Sequence, residues 1–269
     1  MTDTWPVDPA ALLALARPVA EDVATTLADA LADGGPEVST KSTDTDLVTD
    51  LDRWAEAEIT ERLLASRPDD AIEGEEGASV TGTSGVTWSV DPIDGTVNFV
   101  HAMPGFCVSI AAQVDGRSIA GVVVSPLHGD VFTAILHGGA QRNGRPIRCA
   151  EPPSLARSVL GTGFGYDPER RRRQAEVLTR VLPHIADIRR GGAAALDLCW
   201  VGCGRLDGYW EVGLNPWDHA AGGLVSTEAG ARCAGLDGST ASDRFILAAP
   251  AETWDGLATL LDAADAASV

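Results

Sequence analysis

Trp88-Ser89-Val90-Asp91-Pro92-Ile93-Asp94-Gly95-Thr96-Val97-Asn98-Phe99 is the most informative stretch of the chain. A β-like run from Thr87 to Val90 delivers Asp91 at its end, and Pro92 stiffens the turn that follows. Asp94-Gly95-Thr96 then resembles a helix start, where free backbone N–H groups point at whatever lies in front. Taken alone, the run admits two readings. It could set two carboxylates beside a pair of metal ions while Gly95 and Thr96 offer N–H groups to a phosphate. Equally, Asp94 is an N-cap and Asp91 a turn former.

Upstream of this run the pattern is helical. Asp8-Pro9 reads as an N-cap followed by Pro at N1. Leu12, Leu15, Ala16, Val19, Val23, Leu27 and Leu31 then recur at amphipathic spacing. Pro18 predicts a kink or a late start, and Gly34-Gly35-Pro36 ends the element. A second helix is expected from about Asp50, with Leu51, Ala55, Ile59 and Leu63 on one face and Arg67-Pro68 as its stop. An extended segment leads into Glu73-Gly74-Glu75-Glu76-Gly77, and a polar loop runs from Ala78 to Gly85.

Downstream, Cys107 to Val114, Ile119 to Ser125 and Asp130 to Leu136 read as strands, with turns at Gly116-Arg117 and His128-Gly129. Beyond about Cys149 the texture alternates. Strand-like Val159-Leu160, Ile185 to Ile188, Gly208 to Val212 and Phe245 to Ala248 are separated by helix-like Glu169 to Val181, Ala193 to Val201, Pro216 to Ala229 and Glu252 to Ala263. Mixed α/β layering follows from this pattern, while strand order does not.

The 269 residues are 45% hydrophobic and 22% charged, which describes a globular chain able to bury an extensive core. We expect one domain over 1–269, built of two packed halves of about 1–150 and 151–269. No apolar run approaches the ~20 residues that span a bilayer. Cys107, Cys149, Cys199, Cys203 and Cys233 form no zinc-type spacing, and Cys199 and Cys203 read as buried thiols on a helix face. The odd count and the absence of a leader-like segment lead us to expect a reducing cytoplasm. A net charge of -19 argues against a nucleic-acid binder. Its one basic run, Arg170 to Arg173, reads as a solvated helix turn, with a local anion or partner contact as the alternative. An acidic protein that handles an acidic substrate needs divalent cations between the two.

The Asp91–Thr96 run resembles the signature of the inositol monophosphatase family, the lithium-sensitive, magnesium-dependent phosphatases. Further stretches resemble family motifs in family order: Lys41 to Asp52, Gly74-Glu75-Glu76-Gly77, Gly192 to Cys199, and Trp217-Asp218-His219-Ala220-Ala221-Gly222. The resemblance covers roughly Leu12 to Ala263. It implies an α/β (α+β) fold, the layered αβαβα sandwich of the inositol monophosphatase and fructose-1,6-bisphosphatase type, and commonly a homodimer.

Position by position, the resemblance implies Glu75, Asp91, Asp94 and Asp218 as side-chain metal ligands and Ile93 as a carbonyl ligand. Such an all-oxygen set suits two Mg²⁺, with a third allowed near Glu75, or Mn²⁺ as a substitute. Catalytic roles fall to Asp52, Glu75 and Thr96, the Asp52–Thr96 pair orienting the attacking water. Asp94, Gly95, Thr96, Gly192, Ala194, Glu211 and Asp218 are implied to meet the substrate. Ala193 departs from the Ser or Thr often found there. Lys41 is placed near the metal loop, and Li⁺ is the implied inhibitor. His101 and His219 adjoin these motifs as packing residues. Gly161 to Tyr166 lacks both the G-x-G-x-x-G spacing and a Walker Lys, so it reads as a loop bordering the site.

The substrate this implies is myo-inositol 1-phosphate or a related polyol phosphate. Relatives sharing the core hydrolyse fructose 1,6-bisphosphate, histidinol phosphate or 3′-phosphoadenosine 5′-phosphate, and these stay open as alternatives. The chain looks closest to bacterial extragenic-suppressor-type members, with an actinobacterial-looking composition. That branch also contains regulators that bind the transcription machinery.

Overall fold

The computed structural model describes Trp5 and residues 7–34, 38–40, 47–151 and 154–269, with the backbone alone for 38–40, 47 and 48. In chain order the regular elements are α1 (Pro9–Ala32), β1 (Val38–Thr40), β2 (Leu47–Thr49), α2 (Asp50–Ser66), β3 (Ala71–Gly74), β4 (Ser79–Val80), β5 (Val86–Asp94), α3 (Thr96–Val100), β6 (Cys107–Val114), β7 (Arg117–Ser125), β8 (Asp130–Ile135), β9 (Gly139–Arg142) and β10 (Arg145–Pro146). After them come β11 (Val159–Thr162), α4 (Pro168–Val181), β12 (Asp187–Arg189), α5 (Ala194–Gly202), β13 (Gly208–Glu211), α6 (Pro216–Glu228), β14 (Ala231–Ala234), β15 (Ile246–Pro250) and α7 (Ala251–Ala263).

An 8-stranded sheet runs in the order β10-β9-β8-β7-β6-β5-β3-β4, and a 5-stranded sheet in the order β12-β11-β13-β15-β14. The large sheet is antiparallel except where β3 joins β5. In the small sheet β11 lies parallel to β12 and β13, and β15 antiparallel to β13 and β14. The short pair β1 and β2 stands apart from both sheets.

Period-2 alternation explains why both sheets are covered on two faces. Val108, Ile110 and Ala112 of β6 join α1 and α2 in one core, whereas Cys107 and Ala111 join α5 and α6 in the next. On β13 and β15, Tyr209, Ile246 and Ala248 pack against α5, while Trp210, Leu247 and Ala249 face α4 and α7. The layers are therefore α1/α2, large sheet, α5/α6, small sheet and α4/α7, the αβαβα sandwich that the family resemblance implies.

The middle layer is tight. A Cβ on Gly222 would stand 2.4 Å from the Ala195 carbonyl oxygen, so the glycine of Ala220-Ala221-Gly222 sets the approach of α6 to α5. This close packing brings the N-termini of both helices to the end of β5.

Some local expectations change. The first helix starts at Pro9 under an Asp8 cap and continues through Pro18 to Ala32, so there is no late start. Cys203 lies just past α5 as its C-cap rather than on the helix. The strands β9, β10 and β14 carry no apolar run long enough to announce them; ladder hydrogen bonds of β9 to β8, β10 to β9 and β14 to β15 define them.

Candidate active site

β5 does not stop at Asp91 but continues through Pro92 to Asp94. Asp91 pairs with Ser109 and Asp94 with Cys107, so the register slips by one residue between them. Pro92 has no N–H for the ladder, which makes a bulge there inexpensive. The slip has a chemical consequence. Trp88, Val90 and then Ile93 face α1 and α2, an alternation interrupted at Pro92. Asp91 and Asp94 consequently line one pocket on the opposite side.

Asp91 does form the turn, its Oδ1 accepting the Ile93 N–H at 3.1 Å, but Asp94 is not the N-cap. The N-cap of α3 is Gly95 at φ +89°, and no side chain caps it. A Cβ there would stand 3.0 Å from the Gly105 carbonyl oxygen as well as strain the left-handed backbone. Asp94 reaches instead across the layers, accepting the Ala194 and Ala195 N–H groups at 3.1 and 2.7 Å. It thus caps α5, whose own N-cap residue, Ala193, has no side chain able to do so. The Cys107 thiol donates to Asp94 Oδ2 at 3.6 Å.

Glu75 follows β3, its N–H bonded to the Val90 carbonyl at 3.2 Å. Its loop is anchored by Glu56 of α2, whose carboxylate accepts Glu76 N–H and Ala78 N–H, each at 2.7 Å. Asp218 is the N3 residue of α6 and closes a capping box with Asn215, accepting its N–H at 2.6 Å. The Ser109 hydroxyl donates to the Trp217 carbonyl at 3.4 Å and ties that helix start to β6.

Asp52 is fully buried at the start of α2. Its Oδ2 accepts the Thr49 N–H and hydroxyl at 2.8 and 2.6 Å, a capping box that leaves Oδ1 for another donor. That donor is Thr96: its hydroxyl lies 3.3 Å from Asp52 Oδ1 and 3.1 Å from the Ile93 carbonyl oxygen. One proton faces two acceptors.

From the other half come Gly192, Ala194 and Glu211. Glu211 ends β13 and accepts a hydrogen bond from the Tyr209 hydroxyl. The Asn98 amide donates to the Gly105 and Gly191 carbonyls, both at 2.8 Å, and so fixes the loop before α5 against α3. Asp197, one turn into α5, is almost wholly buried, and its Oδ1 has no hydrogen-bond partner among the described residues.

Glu75, Asp91, Ile93, Asp94, Gly95, Thr96, Gly192, Ala194, Glu211 and Asp218 all line one pocket of about 360 Å³. Asp52 stands behind Thr96. A larger depression of about 830 Å³ lies between residues 235–245 and α7, but exposed side chains line much of it and no buried carboxylates converge there.

Burial, then the charges of Glu75, Asp94 and Asp218, raise the Asp91 carboxyl well above its usual range. Burial and Asp218 do the same to Asp94, against the Ala195 N–H, which pulls it down. Such mutual repulsion is relieved by a multivalent cation. Among the described residues no three His, Cys, Asp or Glu side chains are gathered tightly enough to hold an ion as they stand. Asp91, Asp94 and Asp218 accept backbone N–H groups of Ile93, of Ala194 and Ala195, and of Asn215, while the Asp91 and Glu75 carboxyl groups share a hydrogen bond. The donor chemistry, carboxylates with one backbone carbonyl and no thiolate or imidazole in the lining, fits a hard divalent cation.

Lys41 and the first part of its motif, through Asp46, lie outside the described residues. His101 is exposed, and neither it nor His219 lines the pocket; burial lowers His219 to about 4. The loop Gly163 to Tyr166 does border the pocket. The tetra-arginine run divides: Arg172 pairs with Glu169 and Glu176 on the solvated face, whereas Arg170 turns into the pocket wall. Glu56, Asp197 and Tyr209 escaped the sequence reading. Each had a signal: Glu56 falls on the apolar face of α2, Asp197 is a lone charge in an apolar helix, and Tyr209 shares a strand face with Glu211.

Known proteins share this chain's family and fold. The inositol monophosphatase family model matches residues 8–266. The inositol-1-monophosphatase SuhB of Mycobacterium tuberculosis is 48% identical over 209 residues, which is 74% of this chain and 72% of that protein. The Nus factor SuhB of Escherichia coli K12 is 41% identical over 187 residues, 69% of this chain and 70% of that protein. The crystal structure of extragenic suppressor protein suhB from Bartonella henselae superimposes with a TM-score of 0.88 at 34% identity, over 93% of this chain and 98% of that one. With the match running nearly end to end and the motifs meeting in one pocket, the chain belongs to the inositol monophosphatase family and is a phosphatase.

Proposed function

We propose that the chain hydrolyses myo-inositol 1-phosphate and related polyol phosphate monoesters in a Mg²⁺-dependent reaction with water as the nucleophile. The observation that carries this reading is one pocket with a carboxylate cluster on one side and Glu211, an acceptor for hydroxyl groups, on the other. Glu75, Asp91, the Ile93 carbonyl, Asp94 and Asp218 would hold two Mg²⁺, with Glu75 able to share a third. When bound, Mg²⁺ neutralises phosphate charge and acidifies water.

The chain's own groups do the rest. Asp52 Oδ1 takes the Thr96 hydroxyl proton, which turns the Thr96 oxygen into an acceptor for a water proton and frees the Ile93 carbonyl. Gly95 and Thr96 present backbone N–H groups beside the phosphate position. Glu211 accepts polyol hydroxyls, while Gly192 and Ala194 supply the backbone wall opposite. Ala193 contributes a methyl where a hydroxyl would add one contact. Mn²⁺ is the expected substitute and Li⁺ the expected inhibitor. A cytoplasmic homodimer completes the reading.

Phosphate release from inositol 1-phosphate, fructose 1,6-bisphosphate, histidinol phosphate and 3′-phosphoadenosine 5′-phosphate, with Mg²⁺ and with EDTA, tests it. Mg²⁺-dependent release from inositol 1-phosphate is expected. Turnover of histidinol phosphate alone would keep the chemistry and move the substrate. Release from none would favour a second reading, a factor of the transcription machinery, which the name of the E. coli relative suggests.

A further inference from the structure

Besides Glu75, Asp91, Asp94 and Asp218, two further carboxyl groups stand on the pocket wall, Asp197 and Glu211. Buried aspartates elsewhere are engaged on both oxygens: Asp130 by Arg142 and Arg205, Asp70 by Arg67, Ser84 and Trp88. Asp197 is different. It is 2% exposed, and of the carboxyl groups lining the pocket it alone has a buried oxygen, Oδ1, with no hydrogen-bond partner among the described residues.

This carboxyl is held where it stands. Asp197 lies in the first turn of α5, a helix whose other side chains are apolar. The Gly191 N–H bonds to it, and the Asn98 amide fixes Gly191 in turn through its carbonyl at 2.8 Å. Burial, then the charge of Glu211, push the Asp197 carboxyl up to about 8, so at neutral pH it keeps its proton. Glu211 itself is drawn down against burial by the Tyr209 hydroxyl, Arg190 and Arg170. The wall therefore pairs a donor with an acceptor. A hydroxyl group suits both, because it donates one proton and accepts others. An ammonium group would suit the acceptor alone.

We propose that Asp197 is a further specificity-determining residue, its carboxyl hydrogen-bonding a hydroxyl group of the leaving alcohol beside the one that Glu211 accepts. This rests on the phosphatase reading of the same pocket and deepens it. Esters of polyhydroxylated alcohols are selected over esters whose alcohol carries no further hydroxyl, since the latter leave a buried polar group without a partner.

The test compares kcat/KM for inositol 1-phosphate with kcat/KM for p-nitrophenyl phosphate, whose leaving group carries no further hydroxyl. Both are measured in the full chain and in D197A, D197L and D197N. Loss of one such hydrogen bond corresponds to about tenfold. The inositol-to-nitrophenyl ratio is expected to fall by about that factor in D197A, mainly through KM for the inositol ester. Most of the loss should be recovered in D197N, whose amide keeps a donor and an acceptor. A ratio within twofold of the wild type overturns the assignment; both rates falling together would mark Asp197 as a support for Gly191 alone. D197L, which suits an apolar helix, keeps the comparison available if D197A folds poorly. Turnover of the nitrophenyl ester alone by the wild type overturns the proposal as well. Should the wild type hydrolyse neither ester, calorimetric binding of inositol 1-phosphate and of inorganic phosphate, with Mg²⁺ present, replaces turnover. Ester affinity lost in the variants with phosphate affinity retained supports the contact. Parallel changes, or no binding of the ester by the wild type, overturn it independently of the phosphatase reading.

Discussion

The Ala195 N–H donates to Asp94 Oδ2 at 2.7 Å, joining residues 101 positions apart in the chain. One carboxylate at the end of β5 therefore caps a helix of the other half and stands in the proposed cation site. Position and chemistry are coupled at this residue.

Asp94→Asn separates the two roles. The amide retains one cap acceptor and removes the charge, so about 1 kcal/mol of stability is at stake, whereas kcat should fall by about 100-fold or more. Circular dichroism melts and phosphate release check this together. Near-normal turnover would remove Asp94 from the chemistry.

Glu56→Ala should loosen the loop that carries Glu75. Two charge-assisted bonds to Glu76 N–H and Ala78 N–H disappear, which costs on the order of 3 kcal/mol. The Mg²⁺ concentration needed for half-maximal activity should rise as well. Urea unfolding and a Mg²⁺ titration give the two readouts, and an unchanged Mg²⁺ requirement would limit Glu56 to holding the fold.

The carboxylate cluster was legible in the sequence because motifs are local, and Asp91, Asp94, Glu75 and Asp218 each sit in one. What the sequence withheld is non-local. The cap on α5 comes from Asp94 and not from Ala193, and the bulge at Pro92 shows only against the β6 register. The helices emerged from their apolar spacing, whereas short β9, β10 and β14 depend on neighbours that a one-dimensional pattern does not show.

Asp197 gives a pH dependence with a definite sign. Burial raises its carboxyl from 3.8 to about 8, so the folded chain holds this proton more tightly than the unfolded one. Its stabilising contribution is complete below the unfolded value and is lost as pH rises through about 8. Asp197→Asn should match the wild type near pH 4 and exceed it at pH 8 and above by several kcal/mol, at roughly 1.4 kcal/mol per pH unit between the unfolded and folded values. Parallel stability curves across that window would refute the buried, protonated state.

Tyr209→Phe removes the hydroxyl that holds Glu211. Burial raises the Glu211 carboxyl and the Tyr209 bond opposes this, so the variant's carboxyl climbs further. Less of it is ionised at a given acidic pH. The rise of KM on the acid side should therefore move to higher pH, with kcat less affected. Superimposable KM profiles would show that Glu211 does not accept substrate hydroxyls.

The most direct measurement is a Mg²⁺ titration of phosphate release from inositol 1-phosphate after the full chain has been stripped with EDTA. The proposed chemistry requires no release without the ion and a saturable return of activity as Mg²⁺ is added. Release undiminished in EDTA would contradict it, because the Glu75, Asp91, Asp94 and Asp218 cluster would then repel the phosphate it is meant to bind.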